Sequence, residues 1–283
     1  MSRPAALLLT GLLLAGCASP SQPTSESAPT VIHLEQIASA VAGDYVSVRQ
    51  SGDLAEPIRL RIDPQQRAAA ITLIMTQHRA GIERVFELQF APSADANRFD
   101  AHFIPLQTHR ADAAPACHMR FRLAAGVLVG ETDPNECRFR SGENFIGLLK
   151  EIVFERDRIR MADQLVLEDG SLFGDADRLT LTRVTHFTGM LARNEEGAWR
   201  IARNLRLSSG GNLVEPLDAA GMSLGLLLNL ELVESPERQV PALRLQVIEE
   251  ATGRITTEVW HTIDASLIGL GLDTLRIELH RET

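Results

Sequence analysis

The sequence predicts an all-β protein: a closed antiparallel barrel of ten strands with a short N-terminal helix, followed by a small β-sandwich-like domain. Three observations carry this reading. Past residue 43, ten short runs alternate in polarity or stay apolar, and turn residues at hairpin-length intervals separate them. One stretch before them has helical spacing. From residue 187 the texture changes, and seven further runs fall within about 95 residues, which suits a small two-sheet sandwich.

The chain opens with Arg3 and the apolar run "AALLLTGLLLA", closed by Leu14-Ala15-Gly16-Cys17. The run is shorter than the ~20 residues a spanning helix needs and reads as a secretory signal over residues 1–16. The ending resembles a bacterial lipobox, in which Cys17 is lipidated and becomes the first mature residue; an ordinary signal with an incidental cysteine is the alternative. Residues 17–30 are rich in Ser and Pro and form a tether. The expected location is the periplasmic face of the bacterial envelope. Ala18 and Ser19 stand where a retaining aspartate would favour the inner membrane, so the outer membrane is favoured.

Next, "VIHLEQIASAVAG" places Val31, Leu34, Ile37, Ala38 and Val41 on one helical face, with Gly43 as the stop. The ten barrel runs are "DYVSVRQ", "IRLRID", "AITLIMTQH", "IERVFELQF", "RFDAHFIPLQ", "CHMRFRL", "GVLVGET", "KEIVFERD", "IRMADQLVL" and "RLTLTRV". "IRLRID" and "CHMRFRL" alternate with period two, so one face of each meets a core and the other meets water. A helix ahead of a closed antiparallel sheet is the layout of a calyx. Residues 31–186 form this unit and residues 187–283 the second; one extended barrel with added strands is the alternative. "SSGGNLVEP" reads as a turn in the second unit, and Trp199 and Trp260 as anchors of its core.

Composition narrows the function. The net charge of −9, or −10 once Arg3 leaves with the signal, argues against nucleic acid, whose phosphates need a basic face. Lys150 is the only lysine, which leaves little room for lysine-based covalent catalysis. Cys117 and Cys137 are the only cysteines besides Cys17 and, in an oxidising compartment, read best as a disulfide. A thiol nucleophile or a metal site are the alternatives, the latter with only His118 close by.

The ordered positions Cys117, Val129-Gly130-Glu131-Thr132, Cys137, Asp169-Gly170 and Phe173-Gly174 resemble the CpcT/CpeT-type chromophore lyase family. So do "VAGDYVSVRQ" and "MTQHRAGIERVFEL", which place Gln77 and Arg84 at matching positions. The resemblance spans roughly residues 34–184. It implies a ten-stranded calycin-like barrel and a linear tetrapyrrole (bilin) ligand, which such lyases attach to a cysteine of a phycobiliprotein. Where the family tends to carry Trp-Asp-Arg-Gly, this chain has Ala162-Asp163-Gln164-Leu165, keeping the acid alone.

A bilin-like ligand needs cations for its propionates, an acid near its pyrrole nitrogens and apolar walls. Arg84 and Asp163 match those needs, with Tyr45 and Gln77 as polar partners; each also has a plain reading as a solvent-facing or strand-end residue. His102 and His109, with His78 or His118, could form a metal pair, although scattered histidines in β proteins are more often surface or hydrogen-bonded residues. The sequence shows no phosphate loop, HExxH or GxSxG. The expected function is therefore binding of an amphipathic tetrapyrrole-like or lipid-like molecule in the barrel, with no cofactor required and with lyase turnover as an extension of it. The alternative is an envelope scaffold whose sandwich docks a protein partner.

Overall fold

The computed structural model describes residues 29–50, 56–67, 70–91, 95, 97–106, 116–141, 144–173 and 178–282, so Cys17, His109 and Gly174 lie outside it. Helix α1 (Pro29–Val41) sets Leu34, Ala38 and Val41 into the barrel core along one face. It lies against the hairpin of the second and third strands, where Gln66 donates to Glu35 at 2.9 Å. No described helix is long and apolar enough to cross a membrane.

Twelve strands follow: β1 (Gly43–Ser47), β2 (Arg59–Arg67), β3 (Ala70–Arg79), β4 (Ile82–Phe90), β5 (Arg98–Leu106), β6 (Cys117–Ala124), β7 (Val127–Thr132), β8 (Arg138–Ser141), β9 (Asn144–Phe154), β10 (Arg158–Val166), β11 (Leu172–Phe173) and β12 (Leu179–Arg183). Ten of them close into an antiparallel barrel in the order β1-β2-β3-β4-β5-β6-β7-β9-β10-β12, with β12 returning to β1. The pleat sends alternate residues inward, so Leu73 and Met75, Leu88 and Phe90, Phe99 and Phe103, Met119 and Phe121, Ile152 and Phe154 fill one core. Closure removes the sheet edges that would otherwise be free to pair with other chains.

Strands β8 and β11 stand outside the ring. Pairing of β7 with β9 stops at Glu131↔Glu151, and β8 takes over from Arg138↔Gly147. Pairing of β10 with β12 stops at Met161↔Leu179, and β11 takes over at Leu165↔Phe173. Strands β9 and β10 thus continue past the barrel as the middle of a four-stranded flap. The Cys117–Cys137 disulfide, with Cα atoms 4.9 Å apart, fixes the turn after β7 to β6 beneath this flap. Cys137 accepts from the Leu148 N–H at 2.8 Å. Gly147 has no room for a side chain there, since a Cβ would stand 2.4 Å from the Pro134 carbonyl oxygen.

The second unit has β13 (His186–Glu195), β14 (Ala198–Ser208), β15 (Gly210–Val214), β16 (Leu226–Glu234), β17 (Pro241–Glu249), β18 (Ile255–Thr262), β19 (Leu267–Gly271) and β20 (Leu275–Arg281). They form two four-stranded sheets, β14-β13-β20-β19 and β15-β16-β17-β18, around a leucine-rich core. The stretch read as a turn contains β15, whose glycines conceal its strand pairing with β16. The tryptophans do not anchor this core. Trp199 is 39% exposed under the Arg276 guanidinium, and Trp260 is half-buried under Arg244 with its indole N–H on Glu258.

The barrel and sandwich meet along β1. Tyr45 faces the barrel core while its neighbour Val46 belongs to the sandwich core. Beyond β1, Arg49 bridges to Val233 of β16, and its guanidinium shares the buried Glu231 carboxylate with Arg244. A buried carboxylate needs such partners to offset its desolvation.

Two expectations follow. Phe121 lies opposite Gly130 with its ring where a Cβ would be, 2.2 Å away, so Gly130→Ala should destabilise by about 1–3 kcal/mol in urea unfolding, through overpacking. Burial pushes the Tyr45 phenol above its ordinary value of 10.0, with Arg183 opposing. A raised folded-state pKa gives stability that is complete below the unfolded value and is lost as pH rises through the folded one. The urea midpoint of the wild type should therefore fall above about pH 10, and Tyr45→Phe should lack that component.

Candidate functional site

Lys150 lies on β9 between Leu148 and Ile152 along the inward face of the barrel. Its side chain is 2% exposed. Nζ is 2.6 Å from Asp163 Oδ1 on β10, the residue directly opposite in the ladder. The ammonium also stands 4.7 Å from the centroid of Phe103 and 5.5 Å from that of Phe86. Both rings present their negative faces to it, and the carboxylate completes its environment. An unpaired ammonium at this depth would be untenable, and here it has one anion and two π faces.

The backbone around Lys150 is held by Thr132. Its hydroxyl donates to the Leu148 carbonyl at 2.6 Å and accepts from the Lys150 N–H at 2.8 Å, bridging the place where β7 leaves β9. The Gly-x-Thr positions singled out in the sequence thus act through packing at Gly130 and through this hydroxyl at Thr132.

Three of the four predicted ligand-binding residues share the end of the barrel away from α1. Asp163 is the partner of Lys150 and is 59% exposed. Arg84 lies two residues from Phe86 on the same face of β4 and is exposed, with no hydrogen bond or ion pair to a described residue. Gln77, opposite Arg84 in the register, is 9% exposed and its amide makes no hydrogen bond to a described residue. The residue is largely buried while its amide atoms still reach the surface, which leaves donors and acceptor available for a ligand.

Tyr45 lies elsewhere. Its hydroxyl donates to the Val41 carbonyl at 2.9 Å at the end of α1 and accepts from Arg183 at 2.6 Å. Arg183 also donates to the carbonyls of Ala42, at 2.6 Å, and Ala40. Tyr45 and Arg183 therefore close the C-terminus of the helix, where a cation suits the dipole.

Above Lys150 the flap supplies an apolar wall. Directly opposed residues of antiparallel strands share a face, so Leu148, Leu165 and Phe173 form one row, and Ile146 and Phe139 the next. Leu148 packs on the barrel core, which identifies the face as the inner one. Phe173 at its edge is 65% exposed.

Among the described residues the histidines form no comparable centre. His102 and His118 are ladder partners on the outer face of β5 and β6, with ring centroids 6.0 Å apart, and His118 Nε2 is 3.0 Å from Asp100. His78 is on β3, 3.6 Å from Glu83. Among the described residues, no group of three or more His, Cys, Asp or Glu could hold a metal.

Sequence reasoning missed Lys150, Phe86 and Phe103. A signal was present in "GLLKEIVF": period two sets Lys150 on the same face as Leu148, Ile152 and Phe154, where a lone charge is anomalous. In comparisons with known proteins, no family model matches the chain and no curated protein is significantly similar to it.

Removing one member of an ion pair is costly when the charge left behind is buried, but Asp163 is 59% exposed and stays hydrated without its partner. Lys150→Met should leave stability within about 1 kcal/mol of the wild type in urea unfolding, because the rings and the wall accept a thioether chain. Lys150→Ala should instead cost about 2–5 kcal/mol through the cavity it leaves.

Proposed function

We propose that this protein is an envelope lipoprotein, tethered through Cys17, whose barrel end binds an amphipathic small molecule. The observation that carries the reading is the combination at one barrel end of a buried Lys150 paired with the exposed Asp163, a largely buried Gln77 and an apolar wall. The apolar body of the ligand lies against Leu148, Leu165 and Phe173, and its acidic group meets Arg84, which is exposed and has no other partner among the described residues. Gln77 supplies further hydrogen bonds. Such a balance of wide apolar contact and few placed polar groups is what small-molecule sites require.

A tetrapyrrole with propionates and a fatty acid both have this chemistry, and the resemblance to CpcT/CpeT-type lyases favours the first. The proposed activity is binding and presentation. Transfer to a cysteine acceptor would add only the orientation of a bound chromophore.

The test is native mass spectrometry with an absorption scan on the mature protein, purified from its own envelope without denaturant. A co-purifying mass is expected, with visible absorbance if the ligand is a tetrapyrrole. Arg84→Ala should weaken rebinding about tenfold or more, the value of a charge-assisted hydrogen bond. A colourless protein at its bare lipidated mass, with no saturable uptake of biliverdin or hexadecanoic acid, would move the function to an envelope scaffold.

A further inference from the structure

We infer that Lys150 captures an aldehyde-terminated apolar molecule as a protonated imine, with Asp163 as its counterion. This rests on the barrel end being a ligand site and adds a covalent step to it. Of 28 Lys and Arg residues only this one is lysine, and it is the one placed inside the barrel, among Phe86, Phe103 and Asp163. Among the described residues arginine supplies the surface cations and the two partners of the buried Glu231. The interior position carries the one basic side chain that can lose a proton and form a carbon–nitrogen double bond.

The step balances without an oxidant, a reductant or a metal. Asp163 Oδ1, 2.6 Å from Nζ, takes one proton from the ammonium and leaves an amine lone pair. The lone pair attacks the carbonyl carbon while the carbonyl π electrons move to oxygen, giving a carbinolamine once that oxygen is protonated. Loss of water forms the C=N bond, and the nitrogen keeps one proton as iminium. The overall change is ammonium plus aldehyde to iminium plus water with no net proton released: the proton that Asp163 takes from the ammonium is returned to the carbinolamine oxygen as it departs as water.

Charge explains why this pocket suits the product. Ammonium and iminium carry the same single positive charge, so the Asp163 carboxylate and the two ring faces stabilise either without rearrangement. Asp163 is 59% exposed while Lys150 is 2% exposed, so the carboxylate at 2.6 Å is the group that holds and returns the proton while the nitrogen itself is shielded from bulk water. The wall of Leu148, Leu165 and Phe173 would hold an apolar chain over the carbon and keep bulk water from reversing the condensation.

The experiment mixes the mature protein with hexadecanal and cyanoborohydride, followed by intact mass and peptide mapping. Hexadecanoic acid binding is measured in parallel by native mass spectrometry. One alkyl adduct per chain at Lys150 is expected, none on Lys150→Arg or Lys150→Met, and at least a tenfold slower capture in Asp163→Asn. Phe173→Ser, at an exposed position that cannot affect folding much, should also slow hexadecanal while leaving propanal unchanged. Bound hexadecanoic acid without a Lys150 adduct overturns the covalent step and leaves the binding reading standing. Neither binding nor adduct overturns both, and equal labelling of native and urea-unfolded chains overturns the proposal as adventitious amine chemistry.

Discussion

The antiparallel pairing of β9 with β10 is the constraint on which the rest of the structure depends. It runs through eight consecutive partners from Ile159↔Phe154 to Val166↔Gly147. Its lower half closes the barrel, and its upper half has no barrel neighbours on either side. Those upper residues must still satisfy their outward hydrogen bonds, and β8 and β11 exist to do so. The Lys150↔Asp163 pair sits at the transition, where the sheet stops being a wall of a filled core and runs on as the flap.

The site is therefore a consequence of strand length mismatch more than of loop chemistry. Thr132 repairs the gap where β7 ends, and the disulfide pins the following turn under Gly147. Both devices act on the backbone within one or two residues of Lys150. A site built on strand registers is held more tightly than one built on loops, which suits a buried charge whose partner must stay within hydrogen-bond reach.

Short runs that alternate or stay apolar between turn residues made the ten barrel strands legible, because each has one face in a core. This signal failed where that condition fails. Strands β8 and β11 have four and two residues, too few to show a period. The upper half of β9, "NFIGLL", is half-exposed and apolar on both faces, and β15 opens on two glycines. Of the candidate residues, Asp163, Arg84 and Gln77 were found through the family resemblance, and they converge on one barrel end. Tyr45 was also named that way, but its chemistry is spent on the end of α1. A single lysine in the composition leaves little room for lysine chemistry, whereas the position of Lys150 within the alternation is the more informative fact. The two tryptophans misled for a related reason. A large ring capped by an arginine can cover the outside of a sheet as well as fill its inside.

Strand β1 belongs to both cores, with Tyr45 turned to one and Val46 to the other, and Arg49 tied to Glu231. The earliest strand of the chain is thus finished by residues that come 182 positions later. A chain emerging from its N-terminus would hold Val46, Val48 and Val184 as an uncovered apolar stripe until the sandwich is made. Such long-range closure slows folding and prolongs exposure. The barrel of this protein is consequently expected to depend on the C-terminal third as an intramolecular chaperone: without it, the stripe that now lies against leucines would be a surface on which two barrels stick together.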